Sequence, residues 1–218
     1  MSTLTVTPRT RLVRRPDRGS FDRATVHAIL DEALICHVGF EVDGQPYVLP
    51  TVYVRIEEHL YVHGSVGSRM LRSLREGAQV CVTVTLLDGL VLARSAFHHS
   101  MNYRSVVLLG RAQEVTELPE KRRAFDALLE HIAPGRSREV RPADDLETRA
   151  TTVLRLPIEE ASAKIRTGPP IDDERDYALG CWAGVVPLAL TAAQPIADPA
   201  LPAAIPLPPS LQPYRRLR

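Results

Sequence analysis

The spacing of hydrophobic residues in the first third of the chain predicts a helix followed by a β-hairpin. A helix beginning at Ser20 is indicated by apolar residues at positions i, i+3, i+4 and i+7, namely Val26, Ile29, Leu30 and Ala33. LICHVGFEV and YVLPTVYVR are instead rich in β-branched and aromatic residues, which is typical of strands. Asp43-Gly44 lies between them and favours a two-residue hairpin turn.

The rest of the chain continues mainly as strands. LYVHG, QVCVTVTLLDGLVLA, RSVVLLGRAQEV and TTVLRLPI read as four more strands, and amphipathic helices are predicted after Ser65 and from Pro119. Pro50 falls inside a strand, where its missing N–H indicates an edge, a bulge or a docking position. Because the strands follow one another without regular helical crossovers, the pattern favours an antiparallel barrel over a parallel Rossmann sheet.

The predicted domain has an appendage at each end. Residues 1–19 form an irregular basic arm, residues 20–190 the folded domain, and residues 191–218 a proline-rich tail. The stretch from Gln194 to Arg218 contains seven prolines, so we expect it to lack regular structure and either to wrap the surface or to be mobile.

Composition and charge exclude several classes of protein. The 27 Lys and Arg residues nearly balance the 26 Asp and Glu residues, which gives no overall attraction to nucleic acid or an anionic membrane. Cys36, Cys81 and Cys181 contain no CxxC pair, which argues against a disulfide framework and a structural zinc site. The chain has no apolar signal-peptide core and no apolar membrane span, so a cytoplasmic location is expected.

The segment YVHGSVGSRMLRSL carries the main candidate for ligand chemistry. A strand ends in the small residues Gly64, Ser65, Gly67 and Ser68, and Ser65 can cap a helix from Val66 that has Arg69 in its first turn. Small residues allow close approach to a ligand, while a helix N-terminus and an arginine attract phosphate. The alternative is an ordinary capped turn with a surface arginine. Neither a Walker A loop nor GxGxxG is present.

Three further features of the sequence each allow a structural and a functional interpretation. His63 is either a packing residue or a group that acts beside the anion site. Adjacent His98 and His99 project to opposite sides of an extended chain, so no metal site is predicted, and the loop containing them is interpreted as one that closes over a ligand. Trp182, the only tryptophan, either fills a core or interface or stacks on a planar ring.

Taken together, YVLPTVYVR, LYVHGSVGSRMLRSL and VCVTVTLLDGLVLARSAFHHSMNYRSVVLLGRA resemble the pyridoxamine 5′-phosphate oxidase-like flavoproteins. The resemblance covers residues 21–187 and is greatest to the flavin-nucleotide-binding branch, which is similar to nitroimidazole reductases. It implies a split β-barrel of six antiparallel strands with flanking helices, which forms a homodimer and holds FMN at the subunit interface.

The resemblance also implies roles for individual residues. The strand beside the isoalloxazine ring would be formed by Leu49, Pro50 and Thr51. The ribityl and phosphate end would involve Tyr61, His63, Gly64, Ser65, Ser68 and Arg69. Further contacts near the cofactor would come from Tyr103, Arg104, Ser105 and Trp182. His63 matches a histidine near the flavin in nitroimidazole-reductase-like members, which makes it the candidate catalytic proton donor.

Two departures from the oxidases bear on the reaction. Met70 follows Arg69 where those enzymes have a lysine, and their arginine-rich C-terminal substrate signature is missing. We therefore expect an FMN-dependent oxidoreductase acting on another small molecule. The alternatives are a non-catalytic flavin carrier or sensor, a haem-binding split barrel using His63, His98 or His99, and a deazaflavin protein.

Overall fold

The computed structural model describes residues 2–212 and Tyr214, most of which form or cover one antiparallel sheet. Its strands are β1 (Gly19–Ser20), β2 (Ile35–Val42), β3 (Gln45–Ile56), β4 (His59–Ser65), β5 (Gln79–Leu92), β6 (Ser100–Arg111), β7 (Gln113–Glu114), β8 (Thr151–Pro157), β9 (Glu160–Arg166) and β10 (Gly184–Pro187). The hydrogen-bonded order is β1-β9-β6-β5-β2-β3-β4-β8-β7, and β10 pairs with β5. The mainly β class is confirmed, but the described chain has ten strands rather than six.

Four α-helices flank the sheet in the described part of the chain. They are α1 (Arg23–Glu32), α2 (Arg69–Arg75), α3 (Leu118–Ile132) and α4 (Asp145–Ala150). The first helix begins later than predicted because Asp22, not Ser20, caps it by accepting a hydrogen bond of 2.9 Å from the Thr25 N–H. The hydrogen bond from the Thr25 hydroxyl is the main reason that the pKa of Asp22 is lowered.

Two hydrophobic cores lie on opposite sides of β3 and β4. The larger core buries apolar side chains of α1 and α2 against the sheet, and the smaller one lies under α3. Leu4 belongs to the larger core and is only 2% exposed. Burial of the Leu4 side chain is favourable and anchors the start of the N-terminal arm to the larger core.

The end of α1 is fixed by side chains from two other elements. The Tyr53 hydroxyl on β3 donates a hydrogen bond of 2.6 Å to the carbonyl of Leu30. Nε2 of His131 on α3 lies 2.8 Å from the carbonyl oxygen of Ala33, so this nitrogen donates. Both carbonyls lie at the helix end, where intrahelical partners run out. The start of β2 is therefore held in place by β3 and α3.

The C-terminal segment leaves the sheet after β10. Residues 186–207 are exposed, and the chain then returns to the domain, where Ser210 N–H donates a hydrogen bond of 3.1 Å to Glu139. Within residues 2–212 and 214, no helix has the length and apolar character needed to cross a membrane.

Candidate functional site

A groove of about 600 Å³ opens between the end of α1, strands β2, β3, β5 and β6, and the segment after β10. That volume lies in the usual range for small-molecule sites. The groove is lined by Glu32, Ala33, Leu34, Ile35, His37, Pro50, Thr85, Leu86, Leu87, Asp88, Arg104, Leu188, Ala189 and Leu190. The three-residue segment after β10 therefore forms one of its walls.

A β-bulge brings a carboxylate into this groove. The pairing of β5 with β6 shifts register between Leu87 and Gly89, so Asp88 is the extra residue. Bulges often redirect a side chain beside a functional site. Here Asp88 accepts hydrogen bonds from Arg104 of 2.7 and 3.0 Å. Asp88 was not predicted as a site residue. The available signal was the segment LLDGL, in which a charged residue and a glycine interrupt the alternation of the strand.

Arg104 is neutralised inside the groove. Besides Asp88, it donates a hydrogen bond of 2.8 Å to Glu32 and makes a second contact with the same carboxylate. The hydrogen bonds to Glu32 and then to Asp88 raise the pKa of Arg104, so it is always charged. The three side chains together carry one net negative charge. Arg104 is thus engaged with two carboxylates, which was not predicted from the sequence.

The part of β3 that contains Leu49, Pro50 and Thr51 has one open edge. Residues 45–52 pair with β2, but β4 pairs only with Tyr53 to Ile56, so the opposite edge of residues 45–52 has no described partner strand. Leu49 is 42% exposed, and Pro50 lies opposite His37. Of the three interpretations of Pro50, the unpaired edge is observed and a bulge is not, while docking at this position stays a prediction.

Near one end of this open edge, Arg69 is oriented by an aromatic residue. Its Nη1 donates a hydrogen bond of 3.0 Å to the Tyr47 hydroxyl, and its guanidinium carbon lies 5.3 Å from the centroid of the Tyr47 ring. Tyr47 in turn stacks on Phe40, with 5.5 Å between the ring centroids. Arg69 is exposed and forms no ion pair with the described residues, so its charge remains available for a ligand.

The turn before Arg69 is compact and capped. Ser68 Oγ accepts the N–H of Leu71 at 3.4 Å, so the helix begins at Arg69 and Ser68, not Ser65, is its cap. Ser65 Oγ instead accepts the Gly67 N–H at 3.2 Å. A Cβ on Gly64 would lie 3.1 Å from the Leu71 side chain, so helix packing favours a glycine there.

Tyr61 and His63 lie on the face of β4 that α3 covers, opposite the face that packs into the larger core. The Tyr61 hydroxyl donates a hydrogen bond of 2.9 Å to Glu120, and the His63 ring contacts the Phe125 ring at 6.1 Å between centroids. Burial lowers the pKa of His63 and raises that of Tyr61. Neither residue lines the groove, and the catalytic role of His63 stays a prediction.

The other predicted site residues are spread along β6 and beyond it. Ser105 Oγ donates a hydrogen bond of 3.3 Å to the Lys164 carbonyl, and Tyr103 lies on the same strand near Arg166. Trp182 is 67% exposed, and its ring covers Gly184, where a Cβ would lie 2.8 Å from the nearest ring atom. Ser105, Tyr103 and Trp182 do not line the groove of this chain.

Comparisons with known proteins agree with this architecture. Residues 22–165 match the family described as pyridoxamine 5′-phosphate oxidase, and the chain belongs to that family. No curated protein matches the sequence.

Three solved structures are similar to the chain. The flavocytochrome Anf3 from Azotobacter vinelandii is 40% identical, with 94% of this chain and 96% of that chain covered and a TM-score of 0.89. An FAD and haem binding protein from Mycobacterium smegmatis is also 40% identical, with 89% and 96% covered and a TM-score of 0.86. A candidate 5-nitroimidazole antibiotic resistance protein from Bacteroides thetaiotaomicron is 25% identical, with 66% and 84% covered and a TM-score of 0.56.

Proposed function

We propose that this chain binds a flavin nucleotide and acts as a flavin-dependent oxidoreductase on a small-molecule acceptor. The main supporting observation is that the open edge of β3 lies beside the guanidinium of Arg69, which is exposed and held in place by Tyr47. An open strand edge offers backbone hydrogen-bonding groups to a planar heterocycle, and a fixed arginine suits a phosphate. The family and the two relatives at 40% identity support the same cofactor class.

In this proposal the protein supplies binding and electrostatics. Arg69 and Ser68 would hold the first phosphate, and the backbone of Leu49 to Thr51 would contact the ring system. A bound flavin supplies hydride or single-electron transfer. The groove beside it, with the negative cluster of Glu32, Asp88 and Arg104, would favour a neutral or cationic partner molecule over an anionic one.

The first experiment is an absorbance spectrum of the purified protein, followed by denaturation and chromatography of what is released. We expect flavin absorbance and one nucleotide per chain. FMN is the nucleotide that the sequence resemblance implies, whereas the Mycobacterium relative is described as binding FAD. Both contain the phosphate next to the ribityl chain, so Arg69 serves either, and the released compound decides between them. A colourless protein that binds neither FMN nor FAD refutes the proposal.

Turnover is tested separately with NADH and NADPH as donors and with oxygen, quinones and nitroaromatic compounds as acceptors. Flavin-dependent oxidation of a donor supports the enzyme. A flavin-loaded protein whose flavin is neither reduced by a donor nor reoxidised by any acceptor supports the carrier or sensor instead.

Haem binding is a second candidate, favoured by one histidine. Nδ1 of His99 lies 2.9 Å from the Ser95 carbonyl oxygen and must carry the proton, which leaves the Nε2 lone pair of this exposed residue available. His63 is packed under α3, and His98 faces Asp173. Both relatives at 40% identity are described as containing flavin together with haem or cytochrome. A Soret band on haem titration that is lost in His99→Ala would support this site.

We also propose a homodimer with the cofactor at its interface. Large apolar side chains are exposed around the groove and the open edge of β3, including Ile35 (51%), Val48 (65%) and Leu87 (45%). A second copy covering them would bury apolar surface and could bring its own Tyr103, Arg104 or Trp182 to the flavin. Light scattering should give twice the chain mass, and Val48→Glu should shift the protein toward monomer. A monomeric wild type refutes the dimer.

A further inference from the structure

Three metal-ligating side chains meet outside the groove. His98 ends a 3-10 turn between β5 and β6, while Asp173 and Asp176 belong to a second such turn that follows β9. One ligand atom from each residue lies within 4.8 Å of the other two. Asp173 and Asp176 are three residues apart, so a 3-10 turn places them on the same side.

The two carboxylates of this cluster have only long contacts with a histidine and an arginine. Nε2 of His98 is 3.5 Å from an Asp173 oxygen, and the Asp176 side chain is only 15% exposed. Within the described residues, neither carboxylate accepts a hydrogen bond, and the cation beside them, Arg175, is 3.8 Å from each and 84% exposed. Two neighbouring carboxylates repel each other unless a cation compensates.

The donor set suits a divalent transition-metal ion. Imidazole nitrogen and carboxylate oxygen are both ligands of Zn²⁺, at about 2.0–2.2 Å, so two ligand atoms on one ion are at most about 4.4 Å apart. A pair at the upper bound of 4.8 Å would have to close by about 0.4 Å. The Asp173 side chain is 58% exposed and has the freedom to make that adjustment.

We propose that His98, Asp173 and Asp176 bind one divalent transition-metal ion of the Zn²⁺ class. Two carboxylates and one neutral imidazole would balance the charge of the ion, and the open side toward solvent leaves room for water as a further ligand. The ion would tie the connection between β5 and β6 to the segment that follows β9. The adjacent pair His98-His99 does not chelate; the partners of His98 come from 75 and 78 residues further along the chain.

The test is calorimetric titration of Zn²⁺ into untagged full-length protein that has been treated with EDTA and freed of the chelator. We expect saturable binding of one ion per chain. His98→Gln and Asp176→Asn keep the size of each side chain, and each should weaken binding by at least about tenfold. Zn²⁺ should also raise the melting temperature of the wild type but not of Asp176→Asn.

Matched controls separate this site from other ligands. Glu174→Gln removes a carboxylate from the same turn, His59→Ala removes a histidine elsewhere, and Cys181→Ser removes the exposed thiol. All three should bind Zn²⁺ like the wild type. The proposal is overturned if the wild type binds no stoichiometric Zn²⁺, or if folded His98→Gln and Asp176→Asn both bind it as the wild type does. Flavin content measured on the same samples tests the flavin proposal independently.

Discussion

Replacing Arg69 by alanine tests the phosphate end of the flavin site most directly. The side chain is exposed, and its described contacts are the 3.0 Å hydrogen bond to Tyr47 and the stacking on that ring, so the substitution should barely change stability. Hydrogen bonds to a charged group contribute about 1.5–3 kcal/mol each. Losing one such contact with phosphate should therefore weaken flavin binding by about 10- to 150-fold.

Fluorescence titration of the apo-protein with FMN and with FAD measures this loss. Arg72→Ala is the matched control, because it removes the same charge from an exposed position of the same short helix. Tyr47→Phe keeps the ring but removes the hydroxyl that orients Arg69, so it should cost less, about 2- to 12-fold. The reasoning is refuted if Arg69→Ala binds both nucleotides within twofold of the wild type. It is also refuted if Arg72→Ala loses as much affinity.

Three further predictions concern stability, thiol reactivity and pH. Tyr53→Phe should lower the free energy of unfolding in urea by about 1–3 kcal/mol, because the Leu30 carbonyl loses a buried donor. Cys181, exposed, should react first with a thiol reagent, and Cys36 only on unfolding, because burial raises its pKa to about 12. Burial lowers the folded-state pKa of His63, so its contribution to stability should be lost as pH falls from about 6.5 toward that lower pKa.

Each of these has its own control. Tyr177→Phe changes a half-exposed tyrosine and should leave the urea midpoint unchanged; an equal loss there contradicts the role given to Tyr53. Reaction of Cys36 in the folded protein, seen by mass spectrometry, contradicts its burial. His63→Gln should flatten the slope of stability against pH below about 6.5, since the unfolded chain then no longer takes up that proton. An unchanged slope assigns the effect to other groups.

Local signals predicted much of the fold. Asp43 and Gly44 have φ of 51° and 80°, the left-handed pair that a two-residue hairpin turn requires, as the sequence indicated. The strand β9 was missed because its two buried apolar residues, Ala161 and Ala163, are small and have low β-propensity. Their burial depends on which strand and which helix pack against them, and a local sequence pattern carries no information about those distant partners.

The candidate site was predicted less completely for the same reason. The sequence indicated that the side chains of Tyr61 and His63 share one face of a strand. It did not indicate that α3 covers this face, because alternation alone does not show which face another element packs on. Arg104 was identified, yet its neutralisation depends on Glu32, a residue 72 positions away. Arg69 was predicted as a phosphate ligand from its place after small residues. Tyr47, the aromatic residue that orients Arg69, was not predicted.

The open edge of β3 carries a second consequence, for the solubility of the protein before any ligand binds. An unpaired strand edge is a template for adding a strand from another molecule. Pro46 and Pro50 lie four residues apart, so both remove an N–H from the same edge while the pairing with β2 continues. The proposed flavin would need no continuous ladder of hydrogen bonds at this edge, whereas an incoming strand needs one. The prolines thus leave the edge accessible to a small molecule and protect the chain from aggregation through it.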